Sequence, residues 1–395
     1  MDVARNGLGI GREEALLLAS GPRLGDLLSA ASEVRLRGKG NVVSFSKKVF
    51  IPVTTLCRDY CSYCTFRKDP GQAGAHFMTP EEIVALAEQG RRAGCKEALL
   101  SLGDQPERIF PEAREFLRRQ GFARTLDYVA AMSEMVMDRT GLLPHANPGV
   151  MDRAALERLK KSNASVGLML ENVSPRLMRE GMPHENAPDK VPVLRLRTME
   201  EAGKLSMAFT TGILIGIGET MEERVDSLLA IRAMHEKYGH IQEVIVQNFR
   251  AKPEIPMAQH PDPSLEEMLR TVALARLILG GEMNLQAPPN LSYGDFPRLL
   301  DAGINDWGGI SPVTKDFINP EAAWPVIERL KAETEKRGFV LRERLAIYPD
   351  FIEKEKFLSP TVREKVKCLA APDGFSAQAE LATAAKTATA FPGGR

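Results

Sequence analysis

The sequence predicts a (β/α)8 TIM-type barrel, complete or slightly open, with an N-terminal helical extension and a flexible C-terminal tail. Three observations predict it. Strand-like and helix-like segments alternate about eight times over roughly 290 residues, which implies parallel strands with right-handed crossovers. That length suits eight units of a barrel better than a doubly wound sheet. Polar and glycine-bearing motifs recur just after the strand-like runs, the face on which barrels of this type carry their sites.

The elements follow in order. Residues 1–45 read as the extension, with a helical period through Arg12 to Leu28 broken at Gly21-Pro22. The barrel is placed at 46–345. Val49 to Leu56 is a β-branched and apolar run suited to a buried first strand, provided that Pro52 has a side free of pairing. Thr79-Pro80-Glu81-Glu82 starts a helix: Thr at the N-cap, Pro at the first position, acids in the first turn. Strands are expected at 97–102, 142–146, 165–170, 206–217, 243–248, 283–286 and 304–309. Helices are expected between them at 125–139, 152–161, 190–202, 221–237, 264–279 and 291–302, with a last one at 320–337. Residues 346–395 form a C-terminal segment. Beyond about 368 it is rich in Ala and Thr with no core-facing period, so it is expected to be mobile.

Composition narrows the function classes. In 395 residues, 52 Lys and Arg balance 52 Asp and Glu, which argues against a nucleic-acid binder held by phosphate electrostatics. No apolar run approaches the roughly 18 residues that span a bilayer. Glu13 and Glu14 precede the first apolar stretch, unlike a signal peptide. A cytoplasmic location is expected. Five cysteines in so long a chain do not make a disulfide scaffold.

Cys57, Cys61 and Cys64 are spaced C-x3-C-x2-C directly after the first strand. Three thiolates in one loop can hold three corners of a 4Fe-4S cluster. The fourth iron is then free to bind a small molecule and pass it an electron. A structural zinc site with a distant fourth ligand remains open. Cys95 sits where a small buried hydrophobe belongs, and Cys368 lies beyond the last barrel helix.

The cysteine spacing after a first barrel strand resembles the radical S-adenosylmethionine (SAM) superfamily. The resemblance implies a cluster on Cys57, Cys61 and Cys64 whose unique iron chelates SAM. It also implies SAM contacts. Tyr63 stands before the third cysteine, and Gly103 and Asp104 in Ser-Leu-Gly-Asp correspond to a Gly-Gly-Glu-like turn for the amino group. Glu171 corresponds to a ribose partner. Gly216 and Glu219 fall in Gly212-Ile-Leu-Ile-Gly-Ile-Gly-Glu219, and Asn248 would neighbour adenine. By itself the glycine stretch could be a packing strand. No Gly-Lys-Ser/Thr follows it, so a phosphate loop is disfavoured.

Residues 40–345 further resemble the CofG family, the ring-closing subunits of deazaflavin (Fo) synthesis. The blocks that carry this are Asn41 to Phe66, Ser101 to Glu107, His145 to Gly149, Gln247 to Pro253 and Asp306 to Thr314. The resemblance implies closure of the deazaflavin ring from 5-amino-5-(4-hydroxybenzyl)-6-(D-ribitylimino)-5,6-dihydrouracil, with release of ammonia. It implies the CofH subunit as functional partner and an electron donor such as flavodoxin or ferredoxin. His145, Asp306 and Trp307 are the candidates for catalysis, with Asn290 and Ser311 nearby in the substrate loops. A related carbon–carbon bond-forming radical enzyme and a non-enzymatic iron–sulfur or zinc scaffold are the alternatives.

If the cluster reading is right, Ala at Cys57, Cys61 or Cys64 abolishes charge-transfer absorbance and reductive SAM cleavage. Ala at Cys95 or Cys368 leaves both near wild type. Absorbance spectra and 5'-deoxyadenosine assays check this.

Overall fold

A computed structural model describes residues 9–377. Eight parallel strands close into a barrel: β1 (Val42–Thr54), β2 (Glu97–Leu102), β3 (Leu143–Asn147), β4 (Ser165–Gly167), β5 (Phe209–Ile215), β6 (Ile241–Asn248), β7 (Leu285–Gln286) and β8 (Asp306–Ile310). The order is sequential, and β1 pairs with both β2 and β8 to complete the ring. The expected barrel class is what the chain adopts. Among the described residues no helix is long and apolar enough to cross a membrane.

Strand β1 begins earlier than the apolar run suggested, because Ser44, Ser46 and Lys48 alternate with buried Val43, Phe45 and Val49. The apolar set packs beneath the helices, and the polar set faces the barrel interior. Pro52 is tolerated for the expected reason. The Phe50 N–H, two residues earlier and on the same side, leaves the sheet for Thr314 Oγ1 at 3.0 Å. Pairing with β8 has ended by then, so Pro52 removes no ladder bond.

The helical layer departs from the expectations in places. Helix Pro80–Arg92 carries the predicted Thr79 N-cap, which Glu82 completes into a capping box. An unforeseen helix spans Pro111–Arg119, and 291–302 is a 3-10 turn followed by the short helix Arg298–Asp301. The last barrel helix is only Ile327–Lys336, since 320–326 are loop. Before the barrel, helices Arg12–Ser20 and Leu24–Lys39 pack on helix Leu265–Leu279. Buried Arg35 and Arg276 tie this corner together through backbone carbonyls of Ile304, Val42, Gly303 and Met283.

A ninth strand, β9 (Val340–Arg344), pairs with the first half of β1. Behind it Leu345, Ala346, Ile347 and Tyr348 form the centre of a second apolar cluster with Leu143, Ala164 and Ala208. This plug closes the N-terminal end of the barrel. The segment expected to be mobile from about 368 is anchored at first. Helix Pro360–Leu369 packs on the plug, and the Ser376 N–H donates to Glu343 O at 2.9 Å. Positions 378–395 lie outside the described residues.

The plug is fixed by charge. Arg344 donates to Asp306 Oδ2 at 2.8 Å and to Glu243 Oε1 at 3.1 Å, and Tyr348 donates to Glu243 at 3.0 Å. All four side chains are buried. Arg344→Met would strand two buried carboxylates, a loss of about 3–5 kcal/mol. Urea unfolding at neutral pH should show that loss, with a smaller one in the double variant that also carries Asp306→Asn.

Candidate active site

The open end of the barrel holds a cavity of about 260 Å³. Its wall brings together, from four different strand ends, residues far apart in sequence. Cys57, Cys61 and Cys64 come from the loop after β1, and Gly103 and Asp104 follow β2. Glu171 follows β4, and Asn248 ends β6.

The cysteine loop is shaped by the loop after β4. The N–H groups of Tyr60 and Ser62 donate to Asn186 O and Pro183 O at 2.8 and 3.0 Å. Arg58 makes a bidentate pair with Asp189, and Tyr63 Oη meets His184 Nε2 at 3.0 Å. Burial holds the His184 imidazole neutral, with Lys190 and Arg195 adding to the effect. Cys57 Sγ accepts N–H bonds from Asp104 at 3.1 Å and Asp59 at 3.4 Å, the environment of a ligating thiolate. As free thiols these groups are disfavoured from ionising. Burial raises Cys57 and pushes Cys61 up to about 12, an arrangement that a bound cation would reverse. The three sulfurs are not gathered as closely as ligands of one ion. Among the described residues the set of three candidate ligand atoms within 4.8 Å of one another is Asp59, Asp104 and Asp189. Thiolates on a single zinc would sit about 4 Å apart. A wider spread suits separate corners of a multi-iron cluster, and these residues fit one.

Asp104 lies against the cluster loop. Its carboxylate accepts from the Val150 N–H at 3.0 Å, and burial with nearby Asp189 and Asp59 raises its pKa. Three buried carboxylates beside Arg58 and Arg195 make this end of the cavity favourable for a cationic group. Gly103 is required by close approach: a Cβ would stand 2.1 Å from Leu56 O and 2.5 Å from Cys57 Cβ.

Glu171 adopts φ +62°, in the left-handed region. A non-glycine residue there costs on the order of 1 kcal/mol. Backbone bonds to Gly212 O and from the Leu214 N–H hold it, and the kink turns its carboxylate to the cavity. Lys190 Nζ meets it at 2.6 Å and lies 5.9 Å from the Tyr63 ring centroid. Asn248 donates to Leu291 O at 3.3 Å and leaves its buried Oδ1 without a donor.

Other expected residues lie elsewhere. Gly216 (φ +84°) and Glu219 are not on the cavity wall. Glu219 accepts from the Gly216 and Ile217 N–H groups, each at 2.8 Å, and pairs with Arg224 at 2.6 Å. That carboxylate holds the turn after β5. Asp306 begins β8 at the plugged end, saturated by Arg344, Ser44 and the Gly308 N–H. Trp307 points outward: its Nε1 donates to Thr334 Oγ1 at 3.0 Å and its ring meets Phe296 edge-on. Neither reaches the cavity, so they hold the barrel together instead of touching a substrate. His145 is inside the barrel one layer below the cavity, its Nδ1 2.6 Å from Ser165 Oγ. Burial pushes its pKa down to about 4. Asn290 bonds to Asp316, and Ser311 to Thr314. Lys190, Arg195 and Arg58 were missed. They belong to no recognisable spacing, and only their clustering in space marks them.

Comparison with known proteins bears on the family and the fold. The radical SAM superfamily profile matches residues 51–231. The chain is 50% identical over 335 residues to the 7,8-didemethyl-8-hydroxy-5-deazariboflavin synthase of Methanopyrus kandleri, covering 85% of this chain and 100% of that protein. It is 49% identical over 390 residues to the FO synthase of Streptomyces avermitilis, covering 95% of this chain and 45% of that protein. The chain thus spans about half the length of the FO synthases it matches. Two solved structures share the fold. Methylornithine synthase (PylB) gives a TM-score of 0.66 at 22% identity, covering 86% of this chain and 96% of that one. The FeFe-hydrogenase maturase HydG from Carboxydothermus hydrogenoformans gives 0.69 at 18%, covering 93% and 88%.

Gly103→Ala is expected to push the turn after β2 off the cysteine loop. Iron content after anaerobic reconstitution should fall several-fold, while far-ultraviolet circular dichroism stays near wild type.

Proposed function

Since the chain belongs to the 7,8-didemethyl-8-hydroxy-5-deazariboflavin synthase family of the radical SAM superfamily, whose cofactors are a 4Fe-4S cluster and SAM, we propose that it performs the ring-closing step of Fo formation. Its substrate would be the 4-hydroxybenzyl–ribityliminouracil adduct supplied by a CofH-type partner, with ammonia released. The observation that carries this reading is the full-length match to the Methanopyrus kandleri protein, joined to a cavity that holds the cysteines, a carboxylate turn and an amide from separate strand ends.

When bound, the cluster and SAM supply a 5'-deoxyadenosyl radical. The chain's own residues have distinct tasks. Cys57, Cys61 and Cys64 would hold the cluster, with Tyr63, packed edge-on against His184, next to them in the loop. Asp104, in its carboxylate-rich corner, takes the SAM ammonium. Glu171 accepts from the ribose hydroxyls, with Lys190 holding its carboxylate in place. The unpartnered Asn248 Oδ1 accepts from the adenine amino group. Walls such as Phe50, Leu168 and Leu214 exclude water, which protects a carbon radical from quenching. A reductant such as flavodoxin or ferredoxin supplies the electron.

Anaerobic incubation with SAM, dithionite and the CofH product, followed by mass spectrometry, tests the reading. Fluorescent deazaflavin and free ammonia are expected. SAM cleavage with no deazaflavin, alongside a new product from tyrosine or a futalosine, would instead support a related bond-forming enzyme. Glu171→Ala should weaken SAM binding by about 1–3 kcal/mol, the range for losing a partner inside a site. Calorimetric titration beside thermal melting separates this from a loss of stability.

A further inference from the structure

Under the loop after β8, residues 311–326, three polar groups lack partners. Lys48 is 9% exposed, and its ammonium makes no hydrogen bond or ion pair among the described residues. It meets two aromatic faces, 5.2 Å from the Trp324 ring centroid and 5.8 Å from that of Phe50. Trp324 Nε1 is buried without an acceptor, and Asn290 Oδ1 is buried without a donor. Lys48 and Trp324 are in contact, and Asn290 is tied to the same loop. Asn290 Nδ2 donates to Asp316 Oδ2 at 3.0 Å and to Ala322 O at 3.2 Å, close in sequence to Trp324. Burial lowers the Lys48 pKa, against the pull of Glu97, Asp316 and Glu243.

Nothing in the fold requires an amine here. The acids nearest Lys48 are otherwise engaged: Glu97 accepts from Ser46, and Glu243 from Arg344 and Tyr348. Burying an unpaired charge is costly, yet the chain makes room for it. A Cβ on Gly309 would stand 2.3 Å from Lys48 Cδ and 2.6 Å from its Nζ. Phe50, beside Lys48, lines the main cavity and meets Phe317 at a centroid distance of 5.4 Å. The polar group thus adjoins the cavity across an aromatic wall suited to a flat ring.

We propose that Lys48, Trp324 and Asn290 form a subsite for the polar edge of the second substrate, a cyclic imide of the pyrimidinedione type. Such an edge presents carbonyl, N–H and carbonyl. Two donors and one acceptor, the set left open here, complement it. The inference rests on the deazaflavin reading, in which the substrate carries a uracil ring, and assigns where that ring is held.

The probe is 6-(D-ribitylamino)uracil, titrated calorimetrically into the reconstituted holoenzyme with SAM under anaerobic conditions. Lys48→Met should weaken binding about tenfold or more, as expected for losing a charged hydrogen bond. It should keep the cluster absorbance and a melting temperature no lower than wild type, because Met fills the same volume without an unpaired charge. Gly309→Ala keeps the lysine but displaces its tip, and should weaken binding similarly. Trp324→Phe removes one donor and should give a smaller loss. Wild-type affinity in both Lys48→Met and Gly309→Ala overturns the subsite, as does a wild-type protein that does not bind the probe. A lowered melting temperature in Lys48→Met with unaltered binding in Gly309→Ala makes Lys48 structural and equally overturns it. Failure of the deazaflavin reading shows separately, as absent product from wild-type protein and the full adduct.

Discussion

The ion pair between Arg344 and the two acids Asp306 and Glu243 decides which end of this barrel is open. It joins β8, β6 and the end of β9 inside the ring, and it draws the apolar segment 345–348 across the N-terminal mouth. With that mouth closed, every ligand-facing group has to be supplied from the opposite rim. The closing charges are fully buried and mutually satisfied. Breaking one leaves others unpaired, so the plug is more sensitive to single substitutions than its apolar area alone suggests.

On the open rim, two loops depend on each other. The cysteine loop has little regular structure of its own. Backbone bonds to the loop after β4, the Arg58–Asp189 pair and the Tyr63–His184 contact give it shape. That second loop is set by the kink at Glu171, which also aims a carboxylate inward. The candidate cluster ligands and the candidate cofactor contact at Glu171 are therefore mechanically linked. A change at Glu171 is felt by a loop that holds the cysteines, and this is why binding and stability have to be read together for such variants.

The barrel interior is graded. Next to the plug it is ionic and saturated. One layer higher, Lys48, Glu97 and His145 are polar with bonding capacity left over. At the mouth, apolar side chains alternate with Cys, Asp and Asn. A saturated layer contributes rigidity, whereas an unsaturated one is positioned to receive a ligand. The contrast between Asp306, with every oxygen engaged, and Lys48, with its ammonium unengaged, separates the two more clearly than burial does.

Several features were legible in the sequence because they are local. The period of two against 3.6 gave the alternation of strand and helix. Thr79 and Pro80 marked a helix start, and three cysteines within eight residues marked a candidate metal site with no help from distant residues. The Gly-Asp turn and Glu171 could be placed because barrel strands deliver their following residues to one rim. The roles of Asp306, Trp307, Gly216 and Glu219 were not legible. A carboxylate or an indole reads the same in a sequence whether it touches a ligand or an arginine. The partners that decide the matter, Arg344, Thr334 and Arg224, are brought near by other elements. Only closure of the ring determined that Asp306 lies at the plugged end and that Trp307 points out into the helical layer. It also determined that Lys48, outside the apolar run read as β1, stands inside the barrel with no hydrogen-bond or ion-pair partner among the described residues. Local pattern fixes what an element is. Which of its side chains are consumed in holding the fold is set by long-range contacts that exist only once the chain has closed.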